Sequence, residues 1–333
     1  MKTLLIALSI PLLVVINLAA GSVDIPLADV WCIITGHAVD NEVWLNIVLN
    51  TRVPQTLTAM ACGAALSVAG LEMQTVFHNP LAGPSVLGVS SSASLGVAFV
   101  VLLSGSIGSH VLSPFGMVGN TALVVAAIIG ALAVMLLIVW LSRKVEGNAT
   151  LLIVGVMIGY IATAIIGVLK YFSSEEDIRT YVIWGLGSFA RVTGGQVYVF
   201  VGLMTVLCPL SLLLIKPLNM LLLGERYAAN LGLNIRRARM LIISSAGVLT
   251  AVATAYCGPI MFLGLAVPHI SRGIFRTADH GILLPGTLLT GISLALACNL
   301  VARMPGMEGA LPINSVTALI GAPVALTILL KRK

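Results

Sequence analysis

The chain has 333 residues, of which 59% are hydrophobic and only 9% are charged, with a formal net charge of +6. Soluble domains are about 25% charged. So little charge could not give a chain of this length a polar surface, which excludes a soluble enzyme and a disordered protein. The basic residues are scattered between apolar runs and form no stripe, which excludes a nucleic-acid-binding domain. What remains is a helical membrane protein that crosses the bilayer many times.

Ten continuous apolar runs predict about ten transmembrane helices. They cover residues 3–20, 53–73, 86–104, 120–141, 150–170, 195–215, 238–257, 259–270, 282–301 and 312–330. The eighth run is too short to cross without its flanks, and the segments near 178–190 and 304–311 are too short to span. The runs lack the ten-residue alternation of a barrel strand. We therefore predict an all-α polytopic protein with one transmembrane domain over residues 1–333.

Lysine and arginine residues fix the predicted orientation. If the amino terminus is cytoplasmic and each run crosses once, 13 of the 18 basic residues lie inside and eight of the 12 acids lie outside. The opposite orientation would violate the preference for positive charge on the cytoplasmic side. Both termini are thus predicted to be cytoplasmic. Residues 1–20 are predicted to be the first span, and a cleaved signal peptide is the alternative.

The cysteines and histidines give no sign of a metal site. The five cysteines form no C-x-x-C pair, and four lie within or at the edge of apolar runs, as small core residues do. His269 follows Pro268 at the end of the short eighth run, where a haem or iron ligand is conceivable, but a structural role is favoured. Gly155-x-x-x-Gly159 predicts close helix packing, within the chain or between two chains.

A weak internal echo links the two halves of the chain. Gly83-Pro84 through Gly88 follows the second run, and Gly258-Pro259 through Gly264 follows the seventh. The two runs cross in opposite directions in the predicted topology. An echo of opposite orientation is what an inverted repeat leaves, and inverted repeats are typical of transporters.

The chain has no evident energy source of its own. It contains no P-loop, no G-x-S-x-G and no H-E-x-x-H motif. Glu72 is the one acid near the interior of a span, which gives little support to ion coupling. A partner is therefore expected to supply energy. The best docking candidate is the loop of residues 219–237, where Gly224 and Gly232 bound a short apolar helix of about 225–231; an interfacial helix on lipid is the alternative.

Five motifs in chain order carry a resemblance to a known family. They are Arg52-Val53-Pro54-Gln55-Thr56-Leu57; His78-Asn79-Pro80-Leu81-Ala82-Gly83-Pro84 with Leu87-Gly88-Val89-Ser90-Ser91; the Gly224–Gly232 loop; Gly258-Pro259 through Pro268-His269 with Arg272; and Leu311-Pro312-Ile313 with Gly321-Ala322-Pro323. Together they resemble the permease subunits of type II ABC importers, the FecCD family. The match extends through nearly the whole chain.

The resemblance implies a non-catalytic permease of the bacterial inner membrane, with ten helices and an inverted repeat. Such permeases carry iron–siderophore complexes, haem or cobalamin. The implied partners are an identical or second permease, two cytoplasmic ATPase subunits and a periplasmic or extracellular binding protein. ATP and Mg²⁺ are expected on the ATPase, so the chain itself is expected to bind no cofactor, and no residue is assigned to metal binding or catalysis.

Individual positions carry family roles by resemblance. Matches to the ATPase-coupling helix are Gly224, Glu225, Arg226, Ala229, Leu231 and Gly232. Matches to the two cytoplasmic gates are Asn79 and Leu81, and, through a poorly matched stretch, Asn148 and Ala149. Arg52 and Arg303 match arginines that pair with acids of the binding protein, as suits a surface that steers and releases a partner; snorkelling to lipid headgroups is the alternative.

The sequence departs from the family pattern at four positions. Gln55 replaces a frequent arginine, Asn299 replaces an aspartate, and Ala310 replaces an acid before Leu311-Pro312. Glu72 replaces an apolar residue, either as a carboxylate that reaches the surface or as a residue lining the pathway. These changes leave the carried chelate open.

Two other functions remain alternatives. An ion-coupled secondary transporter with inverted repeats would work without an ATPase. An intramembrane enzyme would need clustered buried nucleophiles, bases or metal ligands, against which the scattered histidines and cysteines argue.

Overall fold

The computed structural model describes residues 2–21, 23–37, 39, 41–103, 116–142, 144, 148–303 and 310–330. Within these ranges the chain is helical and contains no strand. The helices are α1 (Lys2–Ala19), α2 (Leu27–Ile34), α3 (Glu42–Ile47), α4 (Val53–Val76), α5 (Val89–Leu102), α6 (Gly116–Leu141), α7 (Asn148–Tyr171), α8 (Glu175–Gly185), α9 (Gly195–Leu210), α10 (Ile215–Leu222), α11 (Glu225–Asn230), α12 (Ile235–Cys257), α13 (Leu263–Phe275), α14 (His280–Ala302) and α15 (Ile313–Leu330).

Each of the ten predicted runs corresponds to a helix. Six helical stretches are long and apolar enough to cross a bilayer: Glu42–Val76, Asn120–Leu141, Thr150–Tyr171, Gly195–Leu222, Ile235–Cys257 and His280–Ala302. Three shorter apolar helices are α1, α5 and α15, and the eighth run forms the 13-residue α13. The all-α polytopic fold predicted from the sequence is confirmed. The short α2 and α3, which lie between α1 and α4, were not predicted.

Helix α4 is the central element and packs against α9, α12, α13 and α14. Glycines allow this packing, because a Cβ on Gly63 would overlap the Gly291 carbonyl of α14, and a Cβ on Gly70 would overlap the Gly264 carbonyl of α13. Small residues of this kind let helix backbones approach closely in membranes. Almost the whole inner length of α4, from Cys62 to Val76, is buried.

The two segments of the internal echo meet inside the protein. Glu72 contacts Ser245, and Cys62 contacts Cys257, so α4 and α12 are antiparallel, as the inverted arrangement predicts. After each of these helices the chain continues through a non-α-helical segment. The first segment contains a 3₁₀ turn at Pro84–Leu87. Its Pro84 ring packs on Gly264, at the start of α13 in the second half.

The Gly155-x-x-x-Gly159 motif of α7 also packs within the chain. A Cβ on Gly155 would collide with the backbone of Val86 and Leu87, and Gly88 approaches the backbone of Gly155 and Gly159. Gly88 has a φ of 75°, a conformation that glycine adopts at little cost. The motif therefore fixes the first echo segment against α7.

Two ends of the helix bundle differ in charge. The basic end holds the α4–α5 connection and the α10–α11–α12 segment, and the basic residues whose side chains are described there are Lys144, Lys216, Arg226, Arg236, Arg237, Arg239, Arg272 and Arg276. The acidic end holds the α1–α4 connection, α8 and the carboxyl end of α14, and its described acids are Asp24, Asp29, Glu42, Glu175, Glu176 and Asp177. These names are used below.

Candidate functional sites

The predicted coupling segment forms a distinct short helix at the basic end. Gly224 and Gly232 bound α11 with φ values of 94° and 87°, where non-glycine residues would be strained. The helix is anchored through Ala228, which is fully buried, and through an ion pair of 2.6 Å between Glu225 Oε1 and Arg239 Nη2 of α12. The sequence placed this helix at about 225–231, and the structure ends it at Asn230.

The outer face of α11 and its flanks is exposed and partly apolar. Leu223, Tyr227 and Leu231 are 60%, 68% and 58% exposed, and Arg226 and Ala229 are also exposed. Leu221, by contrast, is buried against the bundle. A rigidly held helix that shows leucine and tyrosine side chains beside an arginine suits a protein partner more than free solvent.

The first predicted gate is a loop that leaves the end of α4. Asn79 is half-buried, and its Oδ1 accepts a 2.9 Å hydrogen bond from the Leu81 amide, while Leu81 is 38% exposed. His269 of α13 donates from Nε2 to the Pro80 carbonyl over 2.7 Å, so His269 has a structural contact with this loop. We name residues 78–82 the gate loop.

The second predicted gate is described only in its backbone. Asn148 and Ala149 are the first two residues of α7, at the basic end of that helix. Their side chains lie outside the described residues, and their role as a gate stays a prediction.

The predicted docking arginines lie together at the acidic end. Arg52 is 2% exposed and donates to the carbonyls of Leu18, Ala19 and Val23, which tie the α1–α2 connection to the start of α4. The Arg52 guanidinium is therefore already satisfied inside the chain. Direct pairing with a partner's acid would have to break these bonds, and the docking role of Arg52 stays a prediction.

Arg303 is half-buried and better placed than Arg52 to meet a partner. Its Nη2 donates to the backbone oxygen and to Oδ1 of Asn17, at 2.9 Å and 3.1 Å. Burial lowers the pKa of Arg303 to about 10, and the positive charge of Arg52 contributes in the same direction. An acid from a partner would relieve both effects, since opposite charge favours the ionised form.

Two departures from the family pattern are in direct contact. Gln55 Nε2 donates to Asn299 Oδ1 over 2.9 Å, and Asn299 Nδ2 donates to Asn17 Oδ1 over 2.8 Å. All three side chains are buried and join α1, α4 and α14. The sequence singled out Gln55 and Asn299 separately, and their distance of 244 residues hid the contact. Because Asn17 also holds Arg303, this buried amide network supports the arginine.

Glu72 lies wholly inside the protein, with 0% exposure. Its Oε1 accepts a 2.9 Å hydrogen bond from Ser245 Oγ, and Oε2 has no partner among the described residues. The alternative in which this carboxyl reaches the surface is therefore wrong. A pathway role for Glu72 stays a prediction.

No cluster of three or more histidine, cysteine or acidic side chains suited to a metal ion occurs among the described residues. The fold instead brings α11 and the gate loop to the basic end, and the two arginines and the amide network to the acidic end.

Comparison with known proteins identifies relatives that span the whole chain. The family model for the FecCD transport family matches residues 7–331. The hemin transport system permease protein HmuU of Yersinia pestis is 35% identical over 329 residues, which is 97% of this chain and 94% of that protein. The vitamin B12 import system permease protein BtuC of Escherichia coli O6:H1 is 39% identical over 283 residues, which is 84% of this chain and 82% of that protein.

A solved structure shares the fold. It is an inward-facing conformation of a metal-chelate-type ABC transporter, with a TM-score of 0.84, 28% sequence identity, and coverage of 99% of this chain and 98% of that one. The family match, the relatives and the fold agree over nearly every residue, and the chain belongs to the FecCD transport family.

Proposed function

We propose that this chain is the membrane-spanning permease subunit of an ATP-driven type II importer that moves a metal chelate into the cytoplasm. The class of cargo is an iron–siderophore complex, haem or cobalamin, in keeping with the hemin and vitamin B12 permeases that it resembles. The single observation that carries the proposal in the structure is α11, an exposed helix held between two left-handed glycines.

In this proposal, α11 is the coupling helix and the basic end is cytoplasmic. The charge bias between the ends supports that orientation, because basic residues concentrate on the cytoplasmic side of membrane proteins. Two ATPase subunits dock on the coupling helices of a permease pair, which is either a homodimer or a pair with a second permease. ATP and Mg²⁺ bind to those subunits, and this chain catalyses no reaction.

The acidic end then faces the binding protein that delivers the chelate. Arg303 contributes a positive charge supported by the buried amides of Asn17 and Asn299. A half-buried guanidinium that an external acid can neutralise gives a contact that forms and releases readily. Closure of the ATPase pair moves the coupling helices, and the gate loop opens or closes the path in response.

Co-purification with candidate ATPase subunits tests this function. Leu231→Asp puts a charge on the exposed coupling surface and is expected to weaken ATPase retention by at least tenfold, since a buried unpaired charge disfavours an interface. Phe172→Asp is the matched control, because Phe172 is 81% exposed at the acidic end. If wild-type protein retains no ATPase, or if Leu231→Asp retains it equally well, the coupling assignment fails.

That failure would favour the ion-coupled secondary transporter. Glu72 is the one carboxyl in the buried part of the described residues, so Glu72→Gln would then abolish transport driven by an ion gradient. In the ATP-driven importer, transport stops without the ATPase and survives collapse of the gradient. These two outcomes separate the functions.

A further inference from the structure

The last turn of α10 is tied to the gate loop by a side chain that the sequence did not single out. His78 Nε2 donates to the Leu221 carbonyl over 2.9 Å. Leu221 is buried, and its carbonyl also accepts from the Gly224 amide over 3.0 Å, where the chain turns into α11. One oxygen atom therefore serves both the start of the coupling helix and the first residue of the gate loop.

The backbone of His78 is strained, because this non-glycine residue has a left-handed conformation. Its φ is 48°, and the Asn79 amide donates to the Gln74 carbonyl, so His78 occupies the left-handed position that ends α4. Glycine usually fills that position. A non-glycine residue there is strained, because its Cβ crowds the neighbouring carbonyl oxygen. The ring of His78 offsets this strain with a contact that glycine could not make.

A second connection, buried only where it reaches α4, runs in parallel with the first. Asn219 Nδ2 donates to Asp279 Oδ1 over 2.6 Å, and Asn219 Oδ1 accepts from both the backbone amide and Nδ1 of His280 over 2.8 Å. His280 Nε2 lies 2.9 Å from Thr75 Oγ1, in the last turn of α4. His280 and Thr75 are buried, with 1% and 3% exposure.

The two connections link the end of α10, which leads into α11, to the gate loop. Asn219 and Leu221 are two residues apart on α10, directly before the turn at Gly224. Asn219 connects α10 through His280 to Thr75 of α4, one turn before the gate loop. Leu221 connects α10 directly to His78, the first residue of that loop. A shift of the coupling helix therefore reaches the gate loop and the end of α4 through hydrogen bonds of 2.8–2.9 Å, with no long stretch of chain between them.

We propose that the last turn of α10 transmits coupling-helix movement to the gate loop, with His78 and Asn219 as positioning residues. The proposal rests on the proposed function of α11 and names the contacts that carry its movement. Loss of both contacts leaves the ATPase bound and active but disconnects the gate loop. A merely structural role would instead lower stability and ATPase retention together.

The test uses the assembled complex of permease and ATPase in nanodiscs. Leu81→Cys, in a Cys32→Ser background, is labelled with a membrane-impermeant maleimide, and the rate is compared with and without ATP plus vanadate. Leu81 is 38% exposed, whereas the other four native cysteines are buried. With His78 and Asn219 unchanged, the labelling rate at Leu81→Cys is expected to differ at least fivefold between the two nucleotide states.

The double variant His78→Gly plus Asn219→Ala removes both contacts. Glycine is favoured at the left-handed position and alanine favours the helix, so this variant is expected to fold. The nucleotide-dependent difference at Leu81→Cys should fall below twofold while ATP hydrolysis stays within twofold. Each single variant should keep part of the difference. His78→Asn, which tolerates the same φ with a shorter side chain, gives a second way to remove the first contact.

Arg276→Gly is the matched control. Arg276 also has a left-handed φ, of 52°, and is exposed at the basic end of α13. This variant also replaces a left-handed non-glycine residue by glycine, but away from the gate loop. It should keep the full nucleotide-dependent difference in labelling rate.

Transmission through the last turn of α10 is refuted if the double variant keeps the wild-type difference in labelling rate. It is also refuted if ATP hydrolysis and ATPase retention fall together with that difference. If instead the unmodified complex holds no ATPase, or shows no nucleotide-dependent labelling at Leu81→Cys, the proposed function of α11 or the gate loop itself fails.

Discussion

Helix α4 and helix α6 differ in a way that inverts the rule for soluble proteins. In an 18-residue stretch of Glu42–Val76, 83% of the residues are buried and the mean hydropathy is 1.4, whereas in a stretch of equal length in α6 28% are buried and the mean hydropathy is 3.1. The helix with the most protein around it is thus the less apolar one. In a bilayer the outer surface must be apolar, and the interior can hold small and polar residues that pack and pair.

The same contrast separates the other long helices. α12 is 72% buried with a mean hydropathy of 1.8, while α7 is 22% buried with a mean hydropathy of 2.5. Mean hydropathy therefore reports contact with lipid, and the more buried helices are those with the lower mean hydropathy. Substitutions at buried, half-buried and exposed positions test how far burial inside the protein determines their effect.

The largest effect is expected from Gly70→Leu on α4. Its side chain would collide with the Gly264 carbonyl of α13, and backbone cannot yield as a side chain can. The expected loss of stability exceeds about 3 kcal/mol. Thermal unfolding in detergent, followed by size-exclusion recovery, measures it. Gly202→Leu on α9 has open space and should change stability by less than about 0.5 kcal/mol; equal losses would refute the contrast.

A smaller effect is expected from Asn299→Leu. The change removes the hydrogen-bond partner of the buried Gln55 Nε2, at about 1–3 kcal/mol, and one of the two donors to Asn17 Oδ1, which keeps its bond from Arg303 Nη2. The melting temperature should fall accordingly. Thr163→Val on the exposed face of α7, where the hydroxyl donates to its own helix at Gly159, should leave it nearly unchanged.

The ion pair that holds α11 should contribute less to stability. Glu225→Gln is expected to cost about 0.2–1 kcal/mol, because Glu225 is 39% exposed and solvent screens the pair. The exchange Glu225→Arg with Arg239→Glu should recover part of that loss. Chemical denaturation of the two variants checks both statements, and a loss as large as that of Gly70→Leu would contradict them.

The smallest effect is expected from acid titration of Asp279. The Gly281 amide and then Asn219 Nδ2 hold the pKa of this carboxyl below its ordinary value. The folded state therefore binds the proton more weakly than the unfolded chain. The stabilisation is present above the unfolded pKa of about 4 and is lost as pH falls through the folded pKa. Asp279→Asn keeps an acceptor and should remove this part of the pH dependence of unfolding.

The sequence predicted the helices better than the contacts between them. Long apolar runs mark α6, α7 and α12 directly, because lipid contact selects composition over a whole span. The short helix α11 was also predictable, since Gly224 and Gly232 bound it on both sides. The eighth run was correctly expected to be short, and α13 has 13 residues.

Contacts between distant residues escaped prediction for a physical reason. Gly63 and Gly70 look like ordinary small residues, and only the fold shows that Gly291 and Gly264 meet them. Arg52 was expected to face outward, because its charge alone says nothing of the carbonyls of the α1–α2 connection that hold it. His78 drew no attention as a single residue, since its left-handed backbone is not readable from its side chain.

The glycine contacts of α4 have a consequence for motion. Where Gly63 meets Gly291 and Gly70 meets Gly264, the helix backbones touch, and the side chains beside the first contact are the small ones of Ser67 and Ala295. Interlocking side chains must change rotamer before helices can slide, and smooth surfaces need no such change. Close backbone contact between small residues therefore lets α4 slide along α13 and α14 without rotamer changes at these glycines.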